Sequence, residues 1–221
     1  MNPEPASFRS TDGLELEAEL QARPNPFGAL VVCHAHPRMQ GTMKSPLLLA
    51  IADDCVERGF GVVRFNFRGV GNSEGVGSDG IGEVGDVAGA LAFARARYSD
   101  LPVGLVGWSF GGAVAARAAA QDGDVAACAL VAPSIVERPG ITAGLAPARK
   151  LGLKPPVLVV CGSNDKVVLP ADCRTWAEDA PGVRYHEIKA ANHFFWAKYD
   201  ALTEIVGSFL HKEMSPSKEE S

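Results

Sequence analysis

No apolar run in this chain of 221 residues approaches the ~20 residues that a membrane-spanning helix needs. Nor is there a stripe of lysine and arginine: 21 basic against 26 acidic residues give a net charge of −5, which argues against nucleic acid as a partner. The first residues, Met1-Asn2-Pro3-Glu4-Pro5, have neither the charged stretch nor the apolar core of a secretion signal. A soluble, cytoplasmic protein without a membrane partner is therefore expected. The five cysteines are odd in number and follow no framework spacing, so buried, reduced thiols are expected instead of a disulfide scaffold. Internal repeats and interdomain linkers are lacking as well. What is present is 47% hydrophobic residues, enough to bury the core of one globular domain over 8–211, with loose, polar ends at 1–7 and 212–221.

Short apolar runs alternate with helical stretches along the chain. Residues 29–33, 61–67, 103–107, 126–131 and 157–161 read as buried parallel strands, 14–22 as a half-exposed edge strand, and 183–188 as a weaker last strand. Helices are predicted at 46–58, 80–98, 109–121, 171–179 and 194–210, the last with Phe195, Tyr199, Leu202, Val206 and Phe209 on one face. This alternation predicts a doubly wound α/β fold, a mostly parallel sheet with helices on both faces.

In such sheets the chemistry collects past the carboxyl ends of the strands. The run Val103-Gly104-Leu105-Val106-Gly107-Trp108-Ser109-Phe110-Gly111-Gly112 ends an apolar strand in Gly-x-Ser-x-Gly and opens an alanine-rich helix. That is the pattern of a nucleophile elbow, where glycines two positions away on either side clear space for a serine on a sharp turn. Asp165 follows the 157–161 run through Gly162-Ser163-Asn164, and His193 follows the last strand through Lys189-Ala190-Ala191-Asn192. The chain order Ser, Asp, His suits a catalytic triad in which Ser109 attacks an acyl carbon, His193 moves the proton and Asp165 orients the imidazole. Glu137 and Asp172 are alternatives for the acid. His186, inside a strand, and His211, near a helix end, are poor places for a mobile base. Such chemistry requires no cofactor.

Two other segments carry polar groups in suggestive patterns. His34 and His36 are two apart, a spacing seen in metal sites, but no Asp or further His follows nearby to complete a ligand set, so no metal is expected. The glycine-rich run from Arg64 onward lacks Gly-x-x-x-x-Gly-Lys-Ser/Thr, which argues against a phosphate loop, and Arg68 reads as a structural tie between loops. Trp108, Trp196 and His34 are candidates for the substrate pocket, with core packing as the alternative for the two tryptophans. Phe110 is expected to pack between sheet and helix.

Together His34-Ala35-His36-Pro37 with Gly41-Thr42-Met43, Arg64-Phe65-Asn66-Phe67-Arg68-Gly69-Val70-Gly71-Asn72-Ser73-Glu74-Gly75, the elbow, and Asn192-His193-Phe194-Phe195 resemble the small, lidless bacterial α/β-hydrolases of the serine-hydrolase superfamily, close to a group of uncharacterised predicted hydrolases. The resemblance spans roughly 8–211 and implies an α/β-hydrolase fold, the Ser109-Asp165-His193 triad and an oxyanion hole. One oxyanion donor would be the N–H of Phe110. The other would come from the loop after the 29–33 strand, where Pro37 has no N–H, leaving His36 as first choice and Ala35 as second. Trp108 departs from the pattern expected of the nearest group, and its bulk would reshape the acyl pocket.

Only the 25 residues 132–156 stand where larger members insert a lid. They have room for one short helix at 141–151, so no large cap domain and an open pocket are expected. The leading expectation is a carboxylic ester hydrolase acting on small or soluble acyl substrates. The alternatives are a small peptidase or amidase with the same triad, or a non-catalytic binding protein that keeps the fold.

Overall fold

The computed structural model describes residues 3–216. The apolar runs form one eight-stranded sheet, with strands β1 (Glu4–Arg9), β2 (Glu15–Gln21), β3 (Gly28–Cys33), β4 (Phe60–Phe65), β5 (Val103–Trp108), β6 (Val125–Val131), β7 (Val157–Gly162) and β8 (Val183–Ile188). Their order across the sheet is β1-β2-β4-β3-β5-β6-β7-β8, parallel from β4 to β8, with β1 antiparallel to β2 and β2 antiparallel to β4. Strands β3, β4, β5 and β7 are buried at every position, which is why they read as continuous apolar runs. Toward the edges β2 and β8 alternate buried or half-buried with more exposed residues, as strands with one wetter face do.

Helices α1 (Pro46–Glu57), α2 (Glu83–Arg97), α3 (Phe110–Gln121), α4 (Ala148–Leu151), α5 (Pro170–Glu178) and α6 (Tyr199–Met214) cover both faces, α1 packing on α6 and α2 on α3. In α1, Pro46 sits in the first turn, where its missing N–H costs nothing, and Leu47, Leu48, Ile51, Ala52, Cys55 and Val56 form the buried face. Helix α3 approaches the sheet more closely because it is built of glycine and alanine. A Cβ on Gly111 would run into the carbonyl oxygens of Cys33 and His34. From β3 the chain goes to β4 on one side, then returns through α2 to β5 on the other. The carboxyl ends of β3 and β5 therefore border the crevice where such sheets place their sites.

Several expectations are corrected. The 14–22 segment is not the edge: β1 covers it, a short strand of which only Phe8 is buried. The expected loose end at 1–7 is thus strand from Glu4 onward, and the expected loose end at 212–221 is helical to Met214; residues 1–2 and 217–221 lie outside the described residues. The last helix starts at Tyr199 and not at 194, because Phe195 and Ala197 take positive φ (53° and 57°), which breaks helical continuity. The helix expected at 141–151 shrinks to α4. The residues before α4 instead form a loop held by a two-residue bridge in which Arg138 and Thr142 exchange backbone hydrogen bonds (2.8 and 2.9 Å).

Among the described residues no helix is long and apolar enough to cross a membrane. All five cysteines are free and buried.

Candidate active site

Ser109 sits between the end of β5 and the start of α3 with φ 55° and ψ −114°, a conformation that costs a non-glycine residue on the order of 1–3 kcal/mol. The surroundings hold it there. Its N–H donates to the Val131 carbonyl at 2.8 Å, and its own carbonyl accepts the Ser134 N–H at 2.9 Å and the Ala113 N–H at 3.2 Å. Gly107 and Gly111 pass so closely that a Cβ on Gly107 would strike the Gly111 backbone. The sharp turn lifts the Ser109 hydroxyl off the sheet and into the crevice.

Asp165 and His193 come to the same place from β7 and from the turn after β8. One Asp165 carboxylate oxygen accepts the N–H groups of Val167 and Val168, each at 2.8 Å, while the other faces His193 Nδ1 at 2.7 Å. His193 Nε2 is 3.1 Å from Ser109 Oγ. With its Nδ1 proton directed to a carboxylate, the imidazole leaves Nε2 free to accept the serine proton. The ring is wedged between aromatic neighbours: Trp108 lies tilted against it, its Nε1–H donating to the His193 carbonyl at 3.2 Å, and Phe194 meets it edge-on. All three side chains are buried.

The N–H of Phe110 opens α3 beside the nucleophile, and the Ala35 and His36 N–H groups follow β3 across the crevice. Among the described residues none of the three has an acceptor. Unused buried donors are costly in a resting fold and useful where negative charge develops. The Phe110 ring is buried, edge-on to the Phe67 and His36 rings.

Between these groups lies a cavity of about 50 Å³ with Met39, Trp108, Ile141, Val167 and Phe194 on its apolar walls, and His36, Ser134, Arg138 and Thr142 among its polar ones. Ile141, Thr142 and Arg138 belong to the 132–156 segment, so that segment partly roofs the crevice and the expectation of an open pocket is corrected. The His36 ring has a defined tautomer, because Nδ1 accepts the Arg38 N–H at 3.0 Å. Burial, with the Arg38 charge adding to it, lowers its pKa, so the neutral ring carries its proton on Nε2.

Two expected pocket residues are elsewhere. His34 is fully buried; its Nε2 accepts the Phe67 N–H at 3.0 Å and its Nδ1 donates to the Ala35 carbonyl at 2.6 Å, so both nitrogens are used in joining loops, and burial brings its pKa down to about 4. Trp196 is 64% exposed and stacks on the outer side of Phe194 at 5.0 Å, because the backbone reversal at Phe195 buries that residue and turns its neighbour outward. Glu137 is exposed and Asp172 lies on α5; neither makes a hydrogen bond to His193. His186 is exposed on β8, and His211 packs edge-on to Phe27. Among the described residues no group of three His, Cys, Asp or Glu side chains is placed to hold a metal.

Sequence reasoning missed Ser134, whose Oγ lies 3.4 Å from Ser109 Oγ. It stands three residues past β6, and the rule of looking just beyond each strand end, applied to every strand, would have picked it out.

The family model of the alpha/beta hydrolase fold matches residues 28–151, more than half of the chain and the part that contains the elbow. The chain belongs to that family. An alpha-beta serine hydrolase homologue from Coxiella burnetii is 28% identical and superposes with a TM-score of 0.83, over 95% of this chain and 98% of that one. A serine hydrolase without a lid from Xanthomonas campestris is 24% identical, with a TM-score of 0.82 over 98% and 97% of the two chains. An esterase from Pyrococcus furiosus is only 16% identical yet reaches 0.83 over 97% and 94%. At those last two identities the likeness is one of fold. The protein is thus a member of the alpha/beta hydrolase family without a large cap, an assignment that supports hydrolase chemistry.

Proposed function

We propose that the protein hydrolyses carboxylic esters of small or soluble acyl groups through an acyl-enzyme on Ser109. The observation that carries this reading is the unbroken hydrogen-bonded chain Asp165–His193–Ser109 at 2.7 and 3.1 Å. His193 Nε2 takes the Ser109 proton as Oγ attacks the acyl carbon, and Asp165 stabilises the resulting imidazolium. The carbonyl oxygen becomes an oxyanion and is met by the N–H of Phe110 and that of His36, with Ala35 as the alternative second donor. Imidazolium then protonates the leaving alkoxide. Water, deprotonated by His193, attacks the acyl carbon, and the imidazolium then protonates Ser109 Oγ as its bond to that carbon breaks and the acid leaves.

The size of the cavity supports short acyl groups. At about 50 Å³ it is a small cavity, with room for a few waters. The buried Trp108 forms part of the wall that a longer chain would need to displace. A long chain left outside forfeits roughly 0.8 kcal/mol for each methylene that stays wet. The esterase fold-mate fits the same chemistry, and the free, buried thiols fit a reducing, cytoplasmic setting. The test is a series of p-nitrophenyl esters from acetate to palmitate, compared by kcat/KM, with an anilide of the best acyl group alongside. The expected result is a maximum between acetate and butyrate, no jump in rate above the solubility limit, and little turnover of the anilide. A maximum at palmitate would contradict it.

A further inference from the structure

The charges around the cavity point to a more specific substrate. Of the thirteen arginines, nine form ion pairs with carboxylates. Among the described residues Arg9, Arg38, Arg117 and Arg138 do not, and hydrogen-bond only to carbonyl oxygens. One of these four, Arg138, is at the site, and a second, Arg38, is tied to the same loop. Arg138 lines the cavity, its backbone fixed by the bridge to Thr142 and one terminal nitrogen, Nη2, resting on the Val167 carbonyl. Arg38 reaches from the turn after β3 to the Gly140 carbonyl at 2.8 Å, two residues further along the same loop.

A guanidinium has five N–H donors, and among the described residues Nε and Nη1 of Arg138 have no partner. No carboxylate lines the cavity to take them. His36 adds one more donor: with Nδ1 occupied by the Arg38 N–H, its Nε2–H has no partner among the described residues. The cavity therefore has donors to spare beyond those an ester carbonyl would use, and a cation at its mouth, in a chain whose net charge is −5.

We propose that Arg138, with the Nε2–H of His36 beside it, selects esters that carry a carboxylate on the part held at the mouth. This rests on the ester-hydrolase reading above. A carboxylate is planar and presents two oxygens to the guanidinium fork. The uncharged remainder of a short acyl or alkyl chain fits the apolar walls of Met39, Ile141 and Val167.

The experiment compares kcat/KM within two pairs matched in chain length: monoethyl succinate against ethyl butyrate, with the charge on the acyl side, and 3-acetoxypropanoate against propyl acetate, with the charge on the alcohol side. Because Arg138 is exposed, the expected result is a preference of about threefold to fivefold for the anionic member of one pair, the upper range for an ion pair open to solvent. In Arg138→Gln the preference should fall to near one, and Arg138→Lys, which keeps the charge and loses the fork, should lie between. Should the glutamine variant fail to fold, the unmodified enzyme decides. Added salt should lower the rate on the preferred anionic ester while leaving its neutral partner unchanged. Turnover of the esters with no preference for either anion, a preference that survives in Arg138→Gln, or one indifferent to salt overturns the proposal and leaves the hydrolase reading intact. No turnover of any of the four esters, together with no labelling by a fluorophosphonate, overturns both.

Discussion

The turn that follows β4, from Asn66 to Gly75, and the turn at the end of β5, from Gly107 to Gly112, lie on either side of the same central strand β3 and are both rich in glycine, yet they spend their polar groups in opposite ways. In the first, Asn66 donates to Glu17 at 2.7 Å and accepts the Met43 N–H at 2.9 Å, and Ser73 ties the Asn66 carbonyl to the Glu17 N–H. Arg68 donates to Asp86 and to Asp12 between 2.6 and 3.1 Å, and these carboxylates, Asp86 foremost, hold its pKa above the ordinary arginine value. That turn is a closed clamp. In the second, Ser109 is strained and the Phe110 N–H has no acceptor among the described residues. Glycine content alone does not separate a structural turn from a reactive one. Whether the donors are already spent does.

The contrast predicts which part of each turn fails when it is cut, and the largest effect belongs to the open turn. Asp165→Asn keeps an oxygen for the Val167 and Val168 N–H groups but favours the wrong imidazole tautomer, so turnover should fall about 10⁴-fold with the melting temperature nearly unchanged. Near-normal turnover in this variant would remove Asp165 from the reaction. The closed turn should behave in the opposite sense. Asp86→Ala strands a buried guanidinium with only the half-exposed Asp12 as partner, which should cost about 3 kcal/mol in urea unfolding while turnover per folded molecule persists. A loss of turnover with stability intact would erase the distinction between the two turns.

His34 joins the two, its ring accepting the Phe67 N–H and its carbonyl lying against Gly111. Its folded pKa of about 4 is below the ordinary 6.5, so between those values the unfolded chain binds more protons than the folded one. Its contribution is complete above pH 6.5 and is lost as pH falls toward 4, by up to about 3 kcal/mol. His34→Asn should be less stable than the parent at pH 7 and should lose less on going to pH 4.5. Equal losses in both proteins would show that His34 does not carry this part of the pH dependence.

The parallel strands and the convergence of Ser109, Asp165 and His193 were legible because both follow from local pattern and topology. Buried strands announce themselves as apolar runs, and a parallel sheet brings the residues just past their carboxyl ends to one edge. What was illegible depends on contacts between loops. β1 has a single buried side chain, Phe8, and so no periodicity to find. Trp196 and Phe195 are neighbours with opposite fates, decided by a positive φ that composition does not reveal. His34 and His36 are two residues apart, but one ring is consumed by Phe67 and Ala35 while the other lines the cavity. The placement of Arg138 at the cavity goes with a backbone bridge to Thr142 within the 132–156 loop, a contact that no local pattern announces.

The most direct test of the central claim is covalent. Treated with a fluorophosphonate and digested, the protein should yield one modified peptide, with the adduct on Ser109, and Ser109→Ala should lose both the label and ester turnover while keeping its fold. A label on Ser134, Ser73 or Ser163, or one that persists in the alanine variant, would contradict the assignment of the strained serine as the nucleophile.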